Sequence, residues 1–137
     1  MIKEIVKDNF FLAQASTDAS AQDLYICEDL YDTLKANDKR CVGMAANMIG
    51  YRKNIIIIND EGNYLIMINP KVLKVSEETY ATTEGCLCHE GQKPCLRHEK
   101  LQLEYYNRKF QKKVKTFKGF AAQIVQHELD HLQGILI

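Results

Sequence analysis

FAAQIVQHELDH, residues 120–131, is the stretch on which the reading of the fold turns. Ile124, His127, Glu128 and His131 recur at three- and four-residue spacing, so they share one side of a helix that Gly119 precedes. Two imidazoles at i and i+4 stand one turn apart and can reach a single divalent ion. Glu128 lies about 100° around the helix from His127, beside such an ion without having to ligate it, which suits a general base acting on water. The same residues would also serve an ordinary amphipathic helix with half-buried histidines.

If this helix binds a catalytic metal, the third ligand is expected upstream, because six residues follow His131 and none is a histidine, cysteine or carboxylate. The extended pattern with a third histidine would require it at position 137, where Ile137 stands. Soft and borderline ligands cluster at EGCLCHEG, residues 84–91, which offers Cys86, Cys88 and His89. Two other readings of these residues stay open. Cys86, Cys88, His127 and His131 could close a structural zinc site with no open position, although C-x-C is tighter than the usual spacing and leaves Glu128 idle. A cysteine nucleophile is the other, with no feature favouring one thiol.

Outward from the site, Ser20 with Asp23 three residues on predicts a capped helix through Leu24, Cys27, Leu30, Tyr31 and Leu34, ended by Asn37 and Asp38. The small-residue run CVGMAANMIG, 41–50, reads as a loop or irregular strand that permits close backbone approach. Asn54–Ile58 and Tyr64–Ile68 read as a hairpin across Asn59–Gly62, with Asn69 and Pro70 breaking the second strand. Leu101, Leu103 and Tyr105 alternate with polar neighbours, and Val114 with Phe117 lies beyond a turn near Asn107 and Arg108, predicting a further antiparallel pair. The expectation is an α+β fold, with mixed or antiparallel strands around a C-terminal helix, forming one domain over residues 1–137.

Composition removes several function classes. Lys plus Arg and Asp plus Glu both number 18, so no net field favours nucleic acid or an anionic membrane. Lys109, Lys112, Lys113 and Lys115 read as a solvated strand face. The aliphatic run Ile55–Ile58 is far short of the ~20 residues a membrane helix needs, and the opening residues lack the pattern of an export signal. Five cysteines form an odd set that suits thiols or metal ligands over a disulfide framework. A cytoplasmic protein is expected.

CVGMAAN, EGCLC and QHELDH, in that order, resemble the three signature segments of peptide deformylases. The capped helix, the INP at 68–70, and Leu96 with Arg97 before an alternating strand fit the same plan. The resemblance implies metal-dependent hydrolysis of the formyl group of formyl-methionyl peptides, releasing formate. It makes Cys86, His127 and His131 the metal ligands and Glu128 the acid and base, and it assigns Gly43, Leu87 and Arg97 to the substrate. The implied ion is Fe²⁺, with Zn²⁺, Ni²⁺ or Co²⁺ as substitutes, and the implied state is a monomer. The first segment of this family ordinarily ends in a glutamine that donates to the oxyanion. Asn47 is taken as its counterpart, one methylene shorter, and with the Leu87 N–H is expected to act as a weakened donor. Cys88 replaces a usual serine. A C-terminal helix through which many relatives are thought to meet the ribosome is missing, so ribosome docking is not expected. A weakly active or inactive paralogue that binds N-acyl peptides is the alternative to an active enzyme.

Overall fold

The computed structural model describes residues 1–137. A short helix α1, Asn9–Leu12, comes first, and Ser20 then caps a 3-10 turn at Ala21–Asp23 that leads into α2, Tyr25–Ala36. The predicted capping box is present: the Asp23 carboxylate accepts from the Ser20 backbone N–H at 2.8 Å. Asn37 terminates α2, its backbone N–H donating to the Leu34 carbonyl while that of Asp38 donates to the Lys35 carbonyl. The face carrying Ile26, Cys27, Leu30 and Leu34 is buried.

The main sheet is antiparallel, in the order β1 (Gly43–Ala45), β2 (Ile55–Asp60), β3 (Asn63–Val75), β6 (Lys100–Tyr106) and β7 (Lys112–Lys118). The four isoleucines of β2 are all 0% exposed, because α2 and the C-terminal helix α3, Gly119–Leu132, both pack on this strand. A strand covered on both faces carries a continuous apolar run instead of an alternating one. Helix α3 is itself buried nearly all round and also touches β1, β6 and β7. Edge strand β7 leaves Lys112, Lys113 and Lys115 exposed, as expected of a solvated strand face, and Lys118 with them, whereas Lys109 falls in the turn before the strand.

Two differences from the sequence reading bear on the site. Asn69 and Pro70 do not end β3; the strand continues to Val75 through a register shift between Ile68 and Lys71, with Asn69 at φ +51°. Asparagine tolerates that conformation, and here its side-chain amide is fixed on the backbone of Ala19 by bonds of 2.8 and 3.0 Å. The second difference is a separate two-stranded sheet, β4 (Thr79–Gly85) with β5 (Gln92–His98), which the sequence reading did not contain. Its more buried face is formed by Tyr80, Thr82 and Glu84 opposite Lys93, Cys95 and Arg97, so it lacks the apolar alternation by which strands are recognised.

The burial of β2 gives a direct test. Ile57→Ala should cost about 2–5 kcal/mol in urea unfolding, whereas Val114→Ala on exposed β7 should stay within about 0.5 kcal/mol. Equal effects would contradict a β2 enclosed on both faces.

Candidate active site

Helix α3 brings the Nε2 atoms of His127 and His131 to 3.1 Å from each other. The turn joining β4 to β5 supplies Cys86, 45 positions away in sequence, with its Sγ 3.3 Å from His131 Nε2. His127 is oriented from behind, because its Nδ1 donates to Glu84 Oε1 at 2.7 Å and so leaves the Nε2 lone pair facing inward. Two imidazole nitrogens and a sulfur converging with this geometry are a donor set for a borderline divalent cation. Glu128 lies beside them, 3% exposed, and its Oε1 is buried without a partner. The residues present therefore fit a catalytic metal ion.

Glu84 was quoted in the EGCLC segment but given no task by the sequence reading. It accepts from Arg97 Nε at 3.0 Å and Nη2 at 2.7 Å, from Gln123 Nε2 at 3.0 Å, and from His127. Burial alone would raise its pKa, but the hydrogen bonds from His127 and Arg97 outweigh burial and hold the carboxyl well below the usual carboxylate range. Glu128 has no such donors. Its burial pushes it up to about 7, where a carboxylate can both take and return a proton.

Gly43 is what allows Glu128 to lie where it does. A Cβ at this position would stand 2.7 Å from Ile124 Cγ2 and 2.8 Å from Glu128 Oε2, so any side chain would displace Ile124 and Glu128 or the strand itself. Gly43 and Leu87 border a cleft of about 580 Å³ that reaches Cys86, His127 and Glu128. Arg40 and Phe120 line it farther out. The Leu87 backbone N–H makes no hydrogen bond within the protein.

Two expected residues lie elsewhere. Arg97 is 5% exposed and outside the cleft lining, its guanidinium spent on Glu84 and, at 2.7 Å, on Asp130. It holds β5 to α3 and does not face a substrate. Asn47 falls in a 3-10 turn, Ala46–Ile49, tucked under the end of α3. Its Nδ2 donates to the His131 carbonyl at 2.8 Å, and the residue is 0% exposed, so its amide is not presented to the cleft. Chain order alone could not indicate either direction. Asn47→Gln should therefore lower stability by about 1–3 kcal/mol through overpacking, without raising turnover. A gain in kcat/KM would place residue 47 at the oxyanion after all.

Comparison with known proteins agrees with this geometry. The family model described as polypeptide deformylase matches residues 2–137. A peptide deformylase of Clostridium beijerinckii is 49% identical over 138 residues, covering 100% of both chains. Among solved structures, the class I type b peptide deformylase of Acinetobacter baumannii superposes with TM-scores of 0.91 in its Met-Ala-Ser-bound form and 0.90 in its actinonin-bound form. Sequence identity is 28% and 30%, with 99% of this chain covered in both cases and 97% and 95% of the other chain. From the thiol and imidazoles at its centre to the match along its length, this chain belongs to the polypeptide deformylase family.

Proposed function

We propose that the chain hydrolyses the N-terminal formyl group of formyl-methionyl peptides, with Cys86, His127 and His131 holding one divalent ion and Glu128 moving the proton. The observation that carries this reading is the orphaned, buried Glu128 carboxylate beside two imidazoles and a thiol, at the floor of a cleft. The Met-Ala-Ser complex of the A. baumannii relative supports a peptide as the ligand.

When bound, the ion supplies Lewis acidity, acidifying a water and polarising the formyl carbonyl. Glu128 accepts the proton of the attacking water as its oxygen bonds to the formyl carbon. The Leu87 N–H, free of any protein acceptor, donates to the oxygen on which negative charge develops. Glu128 then delivers the proton to the leaving nitrogen as the C–N bond breaks, giving formate and a free amine. The backbone of Gly43 walls the cleft against Glu128, and a formyl hydrogen needs less room there than the methyl of an acetyl group.

The donor set of one thiolate and two imidazoles suits Fe²⁺ as the ion used in the cell, and Zn²⁺, Ni²⁺ or Co²⁺ can occupy the same donors as substitutes. Residues 1–137 act as a single catalytic domain, and a monomer in the cytoplasm, acting on free or nascent peptides, is the corresponding state. No helix is long and apolar enough to cross a membrane.

Glu128→Gln should keep its full metal content but lose about 10²–10⁴-fold in formate release from formyl-Met-Ala-Ser, measured anaerobically with iron. Chelation should abolish turnover of the unaltered protein, and added Fe²⁺ should restore it. Unchanged turnover in the glutamine variant would overturn the assignment of Glu128.

A further inference from the structure

Cys88 is a fourth soft or borderline donor at the centre, beside Cys86, His127 and His131, that the mechanism above leaves unused. It is 4% exposed, and its Sγ lies 2.9 Å from Cys86 Sγ. The donor atoms of Cys86, Cys88 and His131 all fall within 4.8 Å of one another, so the second thiol faces the same point as the first. Cys88 packs in the hydrophobic core, yet its sulfur lies against Cys86 Sγ and within 4.8 Å of the His131 donor atom.

We propose that Cys88 is a second thiolate ligand that closes the centre around Zn²⁺, giving a tetrahedral site of two sulfurs and two nitrogens with no position left for water. The inference rests on Cys86, His127 and His131 being the metal ligands. Tetrahedral bonds of ~2.3 Å place two sulfurs ~3.8 Å apart, so the pair needs to open by less than about 1 Å as both thiols lose their protons to solvent. Zinc imposes no geometry beyond tetrahedral and favours such a closed S₂N₂ set, whereas catalysis needs an open fourth position. The chain therefore discriminates between metals by function. Zinc recruits Cys88 and silences the site, and an ion that binds the second thiolate less firmly leaves the fourth position to water.

The test is zinc X-ray absorption on the full chain, loaded anaerobically with one equivalent of Zn²⁺, for the unaltered protein and for Cys88→Ser, with Cys88→Ala as a second variant should the serine protein fail to fold. Two sulfur scatterers at ~2.3 Å in the unaltered protein and one in the variants are expected. One sulfur in the unaltered protein overturns the inference. Two in every protein also overturns it, because the second sulfur is then not Cys88. Formate release is measured in parallel, and the zinc-loaded serine variant should exceed the zinc-loaded unaltered protein. Sulfur counts that fall from two to one without formate release from any form, iron-loaded included, would support the ligand inference and count against deformylation instead.

Discussion

A guanidinium taken out of water must be met by carboxylates, and Arg97 is met by two. Glu84 accepts it bidentately from the neighbouring strand, and Asp130 accepts it from helix α3. Glu84 then passes the connection on to His127. The small β4–β5 sheet has little apolar surface to bury, and Leu96 is 68% exposed. This polar cluster, together with the paired hydrogen bonds between Gln126 and the His98 backbone, ties the hairpin that carries the thiols to the helix that carries the imidazoles. Bidentate, charge-assisted hydrogen bonds fix angles as well as distances, and deleting one partner of a buried pair costs about 3–5 kcal/mol because the other is left charged and alone. The candidate metal site inherits its geometry from this ion pair, of which Glu84 lines the cleft and Arg97 lies behind it.

Helix α3 has two duties, and they are hard to separate. Val125 and Ala122 are 0% exposed in the core, while His127, Glu128 and His131 on the same helix face the centre. Packing on β1 and β2 positions the helix that carries His127, Glu128 and His131, and Gly43 sets how closely β1 can lie. A core rearrangement here would be felt at Glu128 within one helical turn. Burial is also what raises the Glu128 carboxyl towards neutrality, so the packing that stabilises the fold tunes the base.

Much of this was legible in the residues. His127, Glu128 and His131 declared themselves because one-turn spacing and ligand chemistry coincide, and α2 followed from Ser20, Asp23 and the apolar positions up to Leu34. The β2–β3 and β6–β7 pairs followed from β-branched and alternating runs. The β4–β5 hairpin escaped because its inward residues are Glu84, Arg97, Lys93 and Cys95, whose burial makes sense only once each has found its partner. Arg97, which the resemblance assigned to the substrate, is instead buried between Glu84 and Asp130. Asn47 was misdirected by one local detail: a 3-10 turn after Ala45 aims its amide at the end of α3. Pro70 was taken as a strand end, but Asn69 absorbs the disruption in a left-handed residue held from Ala19.

The lysines of β7 have a consequence for the protein in a crowded solution. With zero formal net charge, molecules of this chain have no overall repulsion to keep them apart. The open edge of the five-stranded sheet is also a template for strand addition between copies. That edge carries Lys112, Lys113, Lys115 and Lys118 within seven residues, so a second β7 laid alongside would set ammonium groups against ammonium groups down its length. The charge absent from the molecule as a whole is concentrated on a seven-residue sheet border where self-association would otherwise propagate into aggregates.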